Sequence, residues 1–239
     1  MELRSLYREP EAPPEQIEWP ALELHDVFRI YRSGPVETVA LRGLELRVER
    51  GEIVALLGPS GCGKSTLLHL AAGLDRPSAG EVRVAGRSLT GLGDDELARY
   101  RAHDVAVVFQ AENLWPELSA EANVALSLRL AGRRDARRAA AAALSEFGLG
   151  ARRAVRAGAL SGGERQRVAV AAAAARGAPL VLADEPTGEL DAANERLVVV
   201  ALRQLQERRG SAVVVVTHSP RVADAAERVL EMRDGRIVG

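Results

Sequence analysis

The apolar run Ile-Val-Ala-Leu-Leu at residues 53–57 leads directly into Gly58-Pro59-Ser60-Gly61-Cys62-Gly63-Lys64-Ser65. A run with no polar position needs burial on both faces, which is the environment of a strand inside a parallel sheet. Parallel strands need long crossovers, usually helices, so this junction commits the chain to an α/β core. The glycines allow the backbone of Gly58, Pro59, Ser60, Gly61, Cys62 and Gly63 to bend with successive N–H groups pointing inward, where they cradle phosphate. A helix predicted over residues 64–73 adds the partial positive charge of its N-terminus. In this setting Lys64 is expected to neutralise β- and γ-phosphates, Ser65 to ligate Mg²⁺, and Thr66 to reach the α-phosphate side. A glycine-rich turn without ligand is the alternative, and the motif in its strand–helix context disfavours it.

Residues 1–20 carry Pro10, Pro13, Pro14 and Pro20 among glutamates, without periodicity, and are expected to be a flexible extension. From residue 21 the pattern turns strand-like: Leu22, Leu24, Val27 and Ile30, then Val39, Leu41, Leu44, Leu46 and Val48, with turns at Gly34-Pro35 and Arg50-Gly51-Glu52. Residues 105–109, 180–184 and 212–217 read as further buried strands, and 191–208 as a helix. Between residues 111 and 160 strand signals stop, and 116–130 and 135–147 read as helices rich in Ala, Arg and Leu. Strands alternating with helices on both sides of a helical stretch predict a parallel α/β core spanning residues 21–239, with a helical subdomain inserted at about 111–160. No fixed-period repeat is present, and the alanine runs at 139–143 and 171–175 mark only helix propensity.

Bulk properties narrow the function. Basic and acidic residues balance at 32 and 33, which gives no electrostatic reason to expect a nucleic-acid partner. The single cysteine, Cys62, excludes an internal disulfide and fits a reducing compartment. No apolar run approaches the ~18–20 residues that cross a bilayer, and the first residues lack the order of a signal peptide. A cytoplasmic location is therefore expected, with any work on a membrane passing through a partner.

Two further segments carry chemistry. Leu180-Val181-Leu182-Ala183 ends in Asp184-Glu185. Neighbouring strand residues point to opposite sides, so Asp184 is placed to hold Mg²⁺ and Glu185 to orient an attacking water. Leu160-Ser161-Gly162-Gly163-Glu164-Arg165-Gln166 combines a capping serine, two glycines and a polar helix start. Ser161, Gly162 and Gly163 would form a second phosphate-binding helix N-terminus. One triphosphate already has its cradle at Lys64, so a second cradle implies a second chain.

With Thr217-His218, this set resembles the nucleotide-binding subunits of ABC (ATP-binding cassette) transporters, over residues 21–239. The resemblance implies a P-loop NTPase core with an N-terminal antiparallel β subdomain, binding and hydrolysing ATP with Mg²⁺. It also implies a head-to-tail homodimer and an integral-membrane permease as partners, with the chain peripheral on the inner face of the membrane. By similarity, Tyr31 stacks on adenine, although alone it reads as a packing tyrosine, and Asp191 lies in a loop crossing the dimer interface. Gln110 joins core and helical subdomain, touches the metal and takes part in catalysis with Glu185; His218 contacts the γ-phosphate.

The segment Ala183-Asp184-Glu185-Pro186-Thr187-Gly188-Glu189-Leu190-Asp191 is similar to the macrolide-export, lipoprotein-release and cell-division branch, as is Gly73-Leu74-Asp75-Arg76-Pro77. Such a subunit powers an exporter or a mechanical transmission; the alternative is a regulator of a division or sensor permease without cargo. Translation and repair ATPases of the family need a second cassette or a long coiled coil, for which 239 residues leave no room. The chain departs from the family pattern at Glu189, where Asn is usual, at Ser219, where Asp is common after the histidine, and at Ala172. None of these removes a catalytic group. Cys62 itself needs only to be compact.

Overall fold

The computed structural model describes residues 19–238. The expected extension lies outside these residues except for its last two, which are packed: Pro20 is buried and the Trp19 carbonyl accepts from Arg50 Nε at 3.0 Å. The Trp19 indole lies so close over Gly86 that a Cβ there would fall 2.5 Å from it.

Two sheets form the framework. The antiparallel one has the order β2-β1-β4-β5, from β1 (Leu22–Ser33), β2 (Val36–Val48), β4 (Ala79–Val84) and β5 (Arg87–Ser88). The second has six strands in the order β10-β9-β3-β8-β7-β6. Its members are β3 (Ile53–Leu57), β6 (Val105–Val108), β7 (Leu180–Asp184), β8 (Ala212–Val216), β9 (Arg228–Arg233) and β10 (Arg236–Val238). All neighbours in this sheet run parallel except β10, which pairs antiparallel with β9 at the edge.

Strand alternation divides the core between the two faces of this sheet. Val54 and Leu56 of β3, Leu180 and Leu182 of β7, and Val214 and Val216 of β8 pack with α1 (Lys64–Ala71) and the antiparallel sheet. The intervening Ile53, Ala55, Val181, Ala183, Val213 and Val215 pack instead with helices. These are α3 (Ala120–Leu130), α4 (Ala136–Glu146), α5 (Gly162–Arg176) and α6 (Ala192–Arg209). Residues buried on both faces explain the unbroken apolar runs in the sequence. The alanines of α5 are buried against α3, α4 and α6, so the run at 171–175 serves close helix packing as well as propensity.

Between β6 and α5 the described residues form α3, α4 and two short 3-10 turns, with no strand, in agreement with the expectation for 111–160. The helices start at 120 and 136 rather than 116 and 135. Ser119 caps α3 in an extended conformation, its Oγ accepting from Ala122 N at 3.1 Å, and residues 116–118 before it form a turn rather than helix. Two further helices are short of, or absent from, the sequence expectations. The first helix stops at Ala71, and α2 (Asp94–His103) had no apolar periodicity to reveal it because it buries only Leu97 and Tyr100. Its signal was the acidic first turn, Asp94, Asp95 and Glu96, with Glu96 accepting from Gly93 N at 3.1 Å. A four-residue helix α7 (Pro220–Ala223) follows β8.

Tyr100 locks α2 to α1: its buried hydroxyl donates to the Ala71 carbonyl at 2.5 Å, and burial pushes the phenol pKa far up. Tyr100→Phe should cost about 1–3 kcal/mol through the orphaned carbonyl. Urea unfolding should show a lower midpoint with an unchanged slope.

Candidate functional site

Parallel register brings three strand ends to one edge. Leu56 and Asp184 both pair with Val216, so the loops after β3, β7 and β8 emerge side by side. They surround a cleft of about 550 Å³ lined by Lys64, Ser65, Thr66, Asp184, Glu185 and His218. Ser60, Gly61, Gly63 and Gln110 also reach it.

The glycine loop sits tightly over β2. Gly63, with φ 106°, would place a Cβ 2.5 Å from the Ala40 carbonyl oxygen, so only glycine fits where α1 begins. Gly58 is equally confined, its Cβ position lying 2.2 Å from Met232 O. Lys64 is buried, and its ammonium donates to the Gly58 and Pro59 carbonyls at 2.7 and 2.9 Å. Cys62 is buried in the core beside it, which suits a compact filler.

Opposite the lysine, Glu185 occupies the left-handed region with φ 45°, a conformation that costs a non-glycine residue on the order of 1 kcal/mol. Its N–H donates to Val216 O at 2.9 Å, which holds the turn against β8. The carboxylate oxygen Oε2 accepts from His218 N at 3.2 Å. Oε1 is buried without a hydrogen bond: His218 Nε2 lies 3.1 Å away but out of line. Glu185 therefore presents one unused acceptor beside an imidazole.

Gln110 is delivered by the loop after β6, which Gln166 and Asn113 secure. Gln166, buried on α5, donates through Nε2 to the Phe109 and Gln110 carbonyls, both at 2.9 Å. Asn113 Nδ2 donates to Gln166 Oε1 at 2.7 Å, and Asn113 Oδ1 accepts from Phe109 N at 2.8 Å. Gln166 closes the Leu160-to-Gln166 string, so its part was signalled by position alone. Asn113 had no signal at all, and nor had Thr38, Val39 and Ala40 of β2, which line the cleft.

Eight of the sequence-predicted residues lie outside the cleft lining: Gly58, Pro59 and Cys62 within the glycine loop, and Tyr31, Ser161, Gly162, Gly163 and Asp191 away from it. Ser161 caps α5: its Oγ accepts from Glu164 N at 3.2 Å and its N–H donates to Glu164 Oε2 at 2.9 Å. Ser161 is exposed, with Gly162 and the buried Gly163 in the first turn behind it. Asp191 is an exposed cap of α6, accepting from Ala193 N at 3.0 Å and Asn194 N at 2.8 Å. Tyr31 is tethered by its hydroxyl to Asp75 Oδ2 at 2.8 Å, with the Arg29 guanidinium 4.4 Å from its ring centre. Its cross-strand partner Thr38 does line the cleft.

A family model described as ABC transporter matches residues 41–188. The lipoprotein-releasing system ATP-binding protein LolD of Anaeromyxobacter dehalogenans is 46% identical, the match covering 94% of this chain and 95% of the relative. The macrolide export ATP-binding/permease protein MacB of Sodalis glossinidius is 44% identical over 92% of this chain, which spans only 34% of that longer protein. Among solved structures, an ATP-binding cassette described as dimeric, post-hydrolysis and bound to ADP and phosphate superposes with a TM-score of 0.84. It is 37% identical, and the match covers 91% of this chain and 97% of that one.

Two outcomes follow from the geometry. Gln166→Ala frees the Phe109 and Gln110 carbonyls and releases Asn113, so amide exchange at Phe109, which donates to Asn113 Oδ1, should quicken by an order of magnitude or more, the equivalent of losing ~1–2 kcal/mol of hydrogen bonding. Glu164 has its pKa lowered, first by the Ser161 N–H and then by Arg152. A depressed carboxyl stabilises the fold above its ordinary value and loses that contribution as pH falls through the depressed one. Glu164→Gln should therefore flatten the decline of stability below about pH 4.5, measured by melting across pH.

Proposed function

The chain belongs to the ABC transporter family, and on that premise we propose that it is the ATP-binding and ATP-hydrolysing subunit of a transporter of the lipoprotein-release or macrolide-export kind. The observation that supports this best is the separation of two phosphate-binding ends on one chain. Lys64 opens the cleft beside Glu185, whereas Ser161 stands exposed outside that cleft at the start of α5. A second copy placed head to tail sets each Ser161 against the other's ATP, with Asp191 at the interface.

In this assembly the backbone from Gly58 to Gly63 and the α1 N-terminus bind the phosphates, and Lys64 exchanges its loop carbonyls for phosphate oxygens. Thr66 reaches the α-phosphate, and Tyr31 turns from Asp75 to stack on adenine. The oxygen donors Ser65, Asp184 and Gln110 share the cleft and suit a hard divalent cation, and these residues would hold Mg²⁺. When bound, it neutralises charge on the phosphate oxygens. The Glu185 carboxylate orients water and takes its proton as the water oxygen bonds to the γ-phosphorus. The bond from that phosphorus to the bridging oxygen breaks, ADP leaves with that oxygen, and His218 donates to the γ-phosphate.

No helix among the described residues is long and apolar enough to cross a membrane. The chain works from the inner face of the membrane through a permease, whose cytoplasmic helix docks near Gln110 on the part formed by residues 111–160.

Glu185→Gln should bind ATP and dimerise while hydrolysis drops about 10²-fold or more. Size exclusion with MgATP and phosphate release measure the two properties. A variant retaining most of its rate removes Glu185 as the base, and a wild-type chain that neither binds nor hydrolyses ATP removes the whole assignment.

A further inference from the structure

The loop that carries His218 is held from outside the cleft. Thr217 is fully buried, and its Oγ1 accepts from Ser219 N at 2.9 Å, which closes the backbone around the histidine. The Ser219 hydroxyl then donates to Glu195 Oε1, a side chain from the first turn of α6. The other carboxylate oxygen, Oε2, accepts from Arg221 Nη1 at 2.8 Å. Glu195 is thus engaged at both oxygens, once from each side of the turn that begins α7. Its carboxyl is only 12% exposed, while the Arg221 side chain that pairs with it stays half exposed.

Both ends of the clamp meet the proposed machinery. On one side Ser219 is bonded in sequence to His218, whose N–H and imidazole are the two neighbours of the Glu185 carboxylate. On the other, Glu195 N donates to Asp191 O at 2.9 Å, so the residue lies one helical turn from the segment proposed to meet the second copy.

We propose that Glu195 is a positioning residue for His218, acting through Ser219 to hold the imidazole and the His218 N–H against Glu185. This rests on the hydrolytic reading given above. Ser219 departs from the aspartate common at this position, and here a carboxylate reaches the turn from α6 instead. Glu195 does not line the cleft, and it reaches the site only through Ser219. Removing it frees the loop, which lets the Glu185 carboxylate swing out of line in the closed state while the phosphate cradle around Lys64 stays intact. The expected signature is a fall in kcat with little change in KM, the pattern of an interaction needed in the transition state.

The test is steady-state MgATP hydrolysis by the full chain as wild type, Glu195→Ala, Ser219→Ala and the double variant, with Lys64→Ala and Glu185→Gln as references. Glu195→Ala should lower kcat about tenfold with KM within about twofold. Ser219→Ala should give a similar loss, and the double variant should lose little more than either single one, because both cut the same link. Glu195→Gln, which keeps an acceptor for Ser219, should recover much of the rate. Melting temperatures identify any variant that merely fails to fold, and Glu195→Gln with its native-like shape keeps the test open in that case. An unchanged kcat in Glu195→Ala, or strictly additive losses in the double variant, overturns the positioning role. A wild-type chain with no activity above the Lys64→Ala and Glu185→Gln references overturns the hydrolytic assignment itself.

Discussion

Strand β3 is hydrogen-bonded on both edges by parallel neighbours, β8 on one side and β9 on the other, and the site depends on that register. Alternate residues of β3 serve two different cores, Val54 and Leu56 with α1, Ile53 and Ala55 with the helical side. A slip of one position would exchange the two sets and strand large side chains against the wrong layer. The pairing is therefore held by packing on both faces, and it sets the height at which the glycine loop leaves the sheet. The same register on β7 and β8 places Asp184, Glu185 and His218 across from Lys64. Ligand sites outside the carboxyl ends of parallel strands are the general consequence of this architecture.

Two helix N-termini then divide the work. The start of α1 is enclosed by the glycine loop and β2 and has no side-chain cap, leaving its N–H groups for a ligand. The start of α5 is closed by the reciprocal bonds of Ser161 and Glu164 and faces outward. On the proposed reading, one chain carries complementary halves of a site that it does not join itself. Solved cassettes of similar fold are described as dimeric, which agrees with that division.

Much of this was legible because the local signals are strong. Residues 53–57 and 180–184 formed strands at the predicted bounds, since runs buried on both faces leave no polar position to blur the pattern. The glycine loop was readable because its spacing fits few other backbones. Helix α2 was not, because it turns a charged face to solvent and buries only Leu97 and Tyr100. The tether of Tyr31 to Asp75, the Asn113–Gln166 lock and the Glu195–Ser219 bond join residues from 24 to 53 positions apart. No periodicity encodes such pairs.

The sequence by itself determined the α/β class, the helical stretch within it and which groups are proposed to handle phosphate. Each of these rests on spacing along one strand, one turn or one helix, where covalent geometry limits what neighbours can do. Tertiary structure alone decided how the groups face one another: Lys64 held on loop carbonyls, Glu185 turned through a left-handed backbone with Oε1 beside the His218 imidazole, and Ser219, next to His218, bonded to a carboxylate from α6. Those relations depend on which strands become neighbours, and that choice is made by the packing of two cores against one sheet.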